Sequence, residues 1–237
     1  MTVSASTRSR LSILLEFAIV LGVLVGSKLV FDQIVWKFAG PLSLLCALST
    51  ILVFTRLTGE PWSRFGLIRF KRWWSLPLVV PQAALGIVAI LGIGAGTALL
   101  GDALGVWTTE GTQSGVEDRW GDIVGNLPVY LGWLVIGWIS AGFGEEVFFR
   151  GYVIDRLSRL LPDVRWAVPA AVALAAIGFG VAHMYYQGMR GLVVTGMIGL
   201  ALGTLYIVYK RNLWPLIVAH GCVDTLAFTA MYLDLDI

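Results

Sequence analysis

Residues 126–151, NLPVYLGWLVIGWISAGFGEEVFFRG, form an apolar run that ends in two adjacent glutamates and an arginine. A helix needs about 20 apolar residues to cross a bilayer, and this run is long enough. A charged group at membrane depth costs roughly 2.5–3.5 kcal/mol on insertion scales. A chain that keeps Glu145 and Glu146 at the end of such a run is therefore expected to use them.

The whole chain has the composition of a membrane protein. Of its 237 residues, 57% are hydrophobic and 14% are charged, and the mean hydropathy is +0.81. A typical soluble domain carries about a quarter charged residues. The apolar runs are continuous rather than alternating, so they predict helices and not the strands of a membrane barrel. We expect an all-α, polytopic transmembrane helical bundle.

Seven apolar runs predict seven spans, with eight as the alternative. No repeat or linker divides the chain, so we expect 1–237 to form a single membrane domain. The predicted spans are 11–31, 38–55, 75–100, 126–149, 166–184, 191–209 and 214–233.

Charge alternates between the segments that connect these spans. By the positive-inside rule, the cation-rich segments are cytoplasmic, which predicts a cytoplasmic N-terminus in a multi-pass protein of a cytoplasmic (inner) membrane. The other side is rich in acids. The thirteen cations on the first side are Arg8, Arg10, Arg56, Arg64, Arg69, Lys71, Arg72, Arg150, Arg156, Arg159, Arg165, Lys210 and Arg211. The acids on the other side are Asp102, Glu110, Glu117, Asp118, Asp122, Asp234 and Asp236, beside Lys37, Arg119 and Arg190.

Residues 59–74, GEPWSRFGLIRFKRWW, mix cations with aromatic residues. This mixture predicts an interfacial helix, with its cations toward the lipid head groups and its rings toward the membrane. The segment is short and flanked by spans, so we expect no nucleic-acid partner. Cys46 and Cys222 each lie in an apolar run, which is typical of core residues and does not indicate a disulfide framework or a zinc knuckle.

The first polar cluster is the Glu145–Glu146–Arg150 group. Residues four apart lie on one face of a helix, so Glu146 and Arg150 are expected to pair. Glu145 is rotated away from that face and is expected to point into a cavity. One carboxylate is then neutralised by the arginine, and the other stays free to act as a base.

Two further clusters carry the only histidines of the chain. Phe179 and His183 share a helical face, so the phenyl ring is expected to support the imidazole. His220 and Asp224 are also one turn apart and are expected to form a hydrogen-bonded pair that fixes the imidazole tautomer. Gly221 leaves the backbone beside His220 open to a ligand.

A set of two glutamates and two histidines has two chemical interpretations. One is metal ligation with a glutamate base, and the other is metal-free activation of water by a Glu–His pair. The metal-ligand candidates are Glu146, His183 and His220, with zinc as the candidate metal. H-E-x-x-H and G-x-S-x-G motifs are absent from the sequence, which disfavours the commonest zinc protease and a serine nucleophile. The small number of ligands favours the metal-free mechanism.

In this order, the three clusters resemble the signature of the CAAX protease and bacteriocin-processing (CPBP or Abi) family. That signature is Glu-Glu-x-x-x-Arg, then Phe-x-x-x-His, then His-x-x-x-Asn or Asp. The resemblance covers about 126–233, which we take as the catalytic core. It implies an intramembrane endopeptidase related to the Ras-converting CAAX endopeptidase, labelled a metalloprotease or a glutamate protease. The matching residues are Glu145, Glu146, Arg150, Phe179, His183, His220 and Asp224.

The resemblance also implies roles for these residues. Glu145 would activate the water with help from His183, while Glu146 and Arg150 would hold the helix and tune the site. His220 and Asp224 would face the scissile carbonyl. An asparagine in the last position can donate to an oxyanion, but an ionised aspartate cannot, so Asp224 is expected to act through His220.

Phe179 and Gly221 are assigned to substrate binding, and the expected substrate is a peptide or protein with a hydrophobic or lipidated segment. Two alternatives to an enzyme remain open. One is a non-catalytic scaffold or bacteriocin-immunity-type protein that binds a peptide at the same cluster. The other is a proton-coupled transporter that uses the cluster as a relay. Internal repeats, which are typical of transporters, are not evident in the sequence.

The predicted spans leave one conflict about the site. Glu145 falls near the cytoplasmic end of its span, whereas His183 falls near the external end of the next one. A shared site requires these groups to approach each other. We therefore expect the fourth helix to continue to about Leu161, which would place Glu145 deeper in the helix.

Overall fold

The computed structural model describes residues 8–69, 77–108, 114–161 and 164–235, and within these ranges it contains helices and no β-strand. The predicted all-α fold is confirmed. The helices are α1 (Arg10–Ile34), α2 (Ala39–Thr58), α3 (Val79–Ala103), α4 (Ser114–Trp120), α5 (Leu127–Leu160), α6 (Ala167–Val208) and α7 (Trp214–Tyr232).

All of these helices except the short α4 are long and apolar enough to cross a membrane. Their outward surfaces carry exposed leucine, isoleucine and valine side chains, as lipid-facing helices do. The protein is therefore a multi-pass membrane protein. The cytoplasmic (inner) membrane stays a prediction.

Helix α6 is folded back on itself at Gly188. The backbone there has φ 60° and ψ −153°, a conformation that is essentially restricted to glycine. The two arms then pack antiparallel: a Cβ on Gly180 would lie 2.3 Å from the carbonyl oxygen of Leu192, and one on Gly203 would lie 2.8 Å from the Val172 side chain. The two arms correspond to the separately predicted spans 166–184 and 191–209. The number of membrane crossings stays a prediction.

The connecting segments gather at two opposite ends of the bundle. The basic end comprises residues 8–9, 59–69, 155–161 and 209–213, where for example the Leu213 amide donates to the Gly66 carbonyl at 3.0 Å. The acidic end comprises residues 35–38, 114–126, 185–190 and 232–235, where Lys37 pairs with Asp122 at 3.0 Å. This is the grouping that the alternating charges predict. Which end faces the cytoplasm stays a prediction.

An ion-pair network ties the basic end together. The Arg156 side chain is 0% exposed and donates to Glu16 of α1 at 2.8 and 3.1 Å, and it also pairs with Glu60 and Asp155. Burial would raise the pKa of the Glu60 carboxyl, but Arg156 and Arg159 hold that pKa below its ordinary value of 4.5. The network joins α1, the segment after α2 and the end of α5.

The predicted interfacial helix over 59–74 is wrong for its described part. Only one 3₁₀ turn forms, at Trp62–Phe65. Gly59 and Gly66 take left-handed φ values of 69° and 88°, and these end α2 and the 3₁₀ turn. Gly66 also packs so closely that a Cβ would lie 2.7 Å from the Leu213 side chain. Residues 70–76 lie outside the described residues.

The reversal at Gly188 gives a stability prediction. The substitution Gly188→Ala should lower the free energy of unfolding by about 1–3 kcal/mol, because alanine is strained at this φ and ψ. Thermal unfolding in detergent measures the effect. Gly92→Ala is the matched control, since Gly92 lies inside α3 with no atom within 4 Å of the place that a Cβ would occupy, and alanine is the better helix former. Equal effects of the two substitutions would contradict the reversal.

The network at the basic end gives a second prediction. The substitution Arg156→Ala removes the fully buried cation that Glu16, Glu60 and Asp155 share, and it should cost about 3–5 kcal/mol of stability. Arg159→Ala removes a neighbouring but more exposed cation, paired with Glu60 at 2.8 Å, and should cost less than about 1 kcal/mol. Thermal unfolding of both variants tests the difference. A mild effect of Arg156→Ala would show that the network does not hold the helices together.

Candidate active site

Helix α5 carries the first cluster in its middle. The helix begins as an α-helix, widens into a π-helical segment at Gly137–Val153, and returns to an α-helix at Ile154–Leu160. π-Helical turns have i→i+5 hydrogen bonds and are frequent at functional sites. The predicted continuation of this helix to about Leu161 is confirmed. Glu145 therefore lies near the centre of a long helix and not at its end.

Glu146 is the buried carboxylate of the pair. It is 0% exposed, and its Oε1 atom lies 3.0 Å from Nη1 of Arg150. The Arg150 guanidinium in turn lies over the Phe179 ring, 4.3 Å from its centroid. The ion pair expected from the four-residue spacing is thus present, and it connects α5 to the first arm of α6.

Glu145 points in a different direction from Glu146. Its side chain is 21% exposed, and its Oε2 atom lies 4.0 Å from Nε2 of His220, which is too far for a direct hydrogen bond. Among the described residues, this oxygen has no hydrogen-bond partner. The Oε2 atom of Glu146 also lacks a hydrogen-bond partner, but the Oε1 atom of Glu146 is engaged by Arg150 and His220, so Glu145 is the carboxylate without a close ionic partner.

His220 is oriented by Glu146. Its Nδ1 atom lies 2.8 Å from Glu146 Oε1, and because a carboxylate only accepts, the imidazole donates its Nδ1 proton. The Nε2 atom then faces Glu145 and also Asp224, whose Oδ1 atom is 3.8 Å away. The expected hydrogen bond between His220 and Asp224 is therefore not formed. A neighbouring helix supplies a closer carboxylate than the next turn of α7 does.

His183 is held by its own helix. Its Nδ1 atom donates to the Phe179 carbonyl oxygen at 2.8 Å, so in the neutral ring Nε2 is left as an acceptor. The Phe179 ring centroid lies 4.6 Å from the His183 ring and 6.4 Å from the His220 ring. Phe179 thus packs on the imidazole of His183 as expected and also lies near His220.

Gly221 allows α5 and α7 to approach closely. A Cβ on Gly221 would lie 2.6 Å from the Trp138 ring, and one on Gly142 would lie 3.2 Å from the Gly221 Cα. The Trp138 indole also donates to the Thr225 hydroxyl at 3.0 Å. This close packing leaves no room for a side chain at position 221 and so explains the glycine there. The substrate-binding roles of Gly221 and of the buried Phe179 stay predictions.

The metal-ligand candidates do not form a ready metal centre. Zinc sites in enzymes use three protein ligands, and no three His, Cys, Asp or Glu side chains converge in this way among the described residues. Glu146 is already engaged by Arg150 and His220, and the Nδ1 atom of His183 donates to the Phe179 carbonyl oxygen. These donors do not fit a bound metal in this arrangement.

Sequence reasoning missed one cation near the site, Arg119 of α4. Its side chain is buried at the acidic end, and its guanidinium carbon lies 5.0 Å from the centroid of the Tyr186 ring, which in turn lies 5.7 Å from the His183 ring. The only signal in the sequence was a lone arginine within an acidic segment. Such a residue is usually solvated, so its burial could not be predicted.

Comparison with known proteins identifies the segment that carries the site. Residues 127–226 match the family model described as type II CAAX prenyl endopeptidase Rce1-like. This segment of the chain is similar to the CAAX proteases that the model describes. The segment contains Glu145, His183, His220 and Asp224, and the resemblance seen in the sequence is confirmed. No curated protein and no solved structure gave a match.

The two neighbouring glutamates should differ in their effect on stability. The substitution Glu146→Gln leaves the buried Arg150 cation uncompensated and should lower the free energy of unfolding by about 3–5 kcal/mol. Glu145→Gln should change it little, because Glu145 is partly exposed and makes no direct hydrogen bond through Oε2. Thermal unfolding of the two purified variants measures the difference. Similar losses for both would contradict the division of roles.

Proposed function

We propose that the protein is an intramembrane endopeptidase in which Glu145 activates a water molecule. The observation that carries the proposal is the Glu145 carboxylate, whose Oε2 atom has no hydrogen-bond partner among the described residues, beside an imidazole whose other nitrogen is held by Glu146. The family supports peptidase activity, and its catalytic type is our inference. We take 126–233 as the catalytic core of a single membrane domain.

The space between Glu145 and His220 suits a catalytic water. The 4.0 Å separation of Oε2 and Nε2 can be bridged by one water molecule that hydrogen-bonds to both atoms. In the reaction, Glu145 takes a proton from this water while the water oxygen bonds to the scissile carbonyl carbon. His183, with Nε2 available as an acceptor, assists in this proton transfer.

The attack converts the carbonyl oxygen into an oxyanion. When His220 is protonated, Nε2–H donates to this oxyanion while Nδ1–H remains on Glu146. Asp224 acts through His220, whose Nε2 atom it faces at 3.8 Å. The tetrahedral intermediate then collapses: the C–N bond breaks, and Glu145 returns the proton to the leaving amine. The mechanism uses no metal.

The proposed substrate is a peptide or protein with a hydrophobic or lipidated segment, presented within the lipid bilayer. A site built from membrane-crossing helices suits such a segment, since the lipid anchor can stay in the bilayer during cleavage. The family description refers to prenylated CAAX sequences, in which a cysteine near the C-terminus carries the lipid. A farnesylated CAAX peptide is therefore the first substrate to test.

The proposal predicts that Glu145→Gln lowers kcat by about 10²–10⁴-fold, the usual contribution of a general base. The measurement uses purified full-length protein and a farnesylated CAAX peptide with a fluorophore and a quencher on either side of the scissile bond. Glu117→Gln, at an exposed position of α4 outside the cluster, is the control and should keep full activity.

Full activity of Glu145→Gln would reject the mechanism. Binding of the peptide without cleavage by the wild type would favour the peptide-binding scaffold. Proton flux in proteoliposomes that disappears in Glu145→Gln, again without cleavage, would favour the transporter.

A further inference from the structure

Arg119 is a buried cation in an aromatic setting. Its side chain is 5% exposed, and its guanidinium carbon lies 5.0–5.9 Å from the centroids of four rings. Such contacts between a cation and ring faces are attractive, but they do not replace an anion. The four rings belong to Trp120, Trp133, Tyr185 and Tyr186.

This guanidinium lacks a matching acid among the described residues. Its Nη1 atom donates to the Tyr185 hydroxyl, but its Nε atom is buried without a hydrogen-bond partner, and no described carboxylate lies within 4 Å. Lysines of the same region differ: Lys28 pairs with Asp32 at 2.6 Å, and Lys37 pairs with Asp122 at 3.0 Å. Arginine stays charged in proteins, so burial leaves a positive charge with unused donor capacity.

Arg119 lies beside the proposed site and not at a remote surface. The Tyr186 ring separates it from His183: the ring centroid is 5.0 Å from the guanidinium carbon and 5.7 Å from the His183 ring. Helix α4 is held against this tyrosine, since a Cβ on Gly115 would lie 2.3 Å from the Tyr186 carbonyl oxygen. The short helix therefore presents the cation at a fixed distance from the catalytic groups.

The ligand that best matches an unpaired, partly desolvated guanidinium is a carboxylate, which it binds through two parallel hydrogen bonds. We infer that Arg119 recognises the terminal carboxylate of the peptide substrate. An extended chain spans at most about 3.3–3.6 Å per residue, so two or three residues reach from the His183 imidazole to Arg119. The inference rests on the proposed function, and it makes Arg119 a specificity-determining residue.

The test compares two farnesylated CAAX peptides that differ only at their C-terminus, one a free acid and the other an amide. The wild type should cleave the acid with a kcat/KM about 10- to 100-fold higher, the range for a hydrogen-bonded charged pair. Arg119→Gln should remove this preference by lowering kcat/KM for the acid while leaving that for the amide nearly unchanged. Arg119→Lys keeps the charge and should retain part of the preference.

Two further variants separate recognition from folding. Lys37→Gln removes an exposed cation of the acidic end and should leave the preference intact. Tyr185→Phe removes the hydroxyl that accepts from Arg119 and should weaken the preference without removing the charge. Thermal unfolding of each variant shows whether it is folded under the assay conditions.

The outcomes distinguish this inference from the proposed function. Equal cleavage of the acid and the amide by the wild type would overturn the role of Arg119 and leave the peptidase proposal standing. Equal losses for both peptides in folded Arg119→Gln would also overturn it, because a purely structural role has that effect. Absence of cleavage of both peptides by the wild type would instead count against the proposed function.

Discussion

The structure of the site depends on one buried carboxylate. Oxygen Oε1 of Glu146 lies 3.0 Å from the Arg150 guanidinium and 2.8 Å from the His220 imidazole. Taking a charge out of water is costly unless the charge is paired and hydrogen-bonded. Loss of either contact would therefore leave the buried carboxylate poorly compensated. Because His220 belongs to α7 and Arg150 packs on Phe179 of α6, the carboxylate fastens three segments of the bundle at one point.

Two chemically identical neighbours thus acquire different roles from their surroundings. Glu146 is fully enclosed, and its Oε1 atom contacts both Arg150 and His220, whereas the Oε2 atom of Glu145 lies 4.0 Å from His220 without a direct hydrogen bond. The difference follows from the rotation between consecutive residues of a helix, which sends adjacent side chains to different faces. A helix that carries two adjacent carboxylates can thereby supply both a structural anchor and a reactive group.

Much of this arrangement was predictable from local patterns. The apolar runs predicted long apolar helices, and the distribution of cations predicted which connecting segments meet at each end of the bundle. The four-residue spacings predicted the contact of Glu146 with Arg150 and that of Phe179 with His183, because they depend only on helix geometry. The continuation of α5 beyond Arg150 was also predictable, since the site could not otherwise assemble.

Contacts between segments distant in the chain were not predictable in the same way. His220 was expected to bond to Asp224 one turn away, but Glu146 of another helix lies closer. Arg156 looked like one more cation of a connecting segment, yet it is fully buried against Glu16. Each of these outcomes depends on how whole helices pack, which no local spacing encodes.

The amino-acid sequence was sufficient to predict a membrane-embedded helical protein and to locate the few polar residues inside its apolar helices. Hydrophobicity, charge and helical periodicity are properties of short stretches of chain, so these features can be inferred from the sequence. The packing of the helices was needed to show that Glu146 holds His220, that Glu145 makes no direct hydrogen bond to it, and that Arg119 lies nearby. These contacts depend on the distances between helices. An increase of about 1 Å in the donor–acceptor distance is enough to abolish a hydrogen bond.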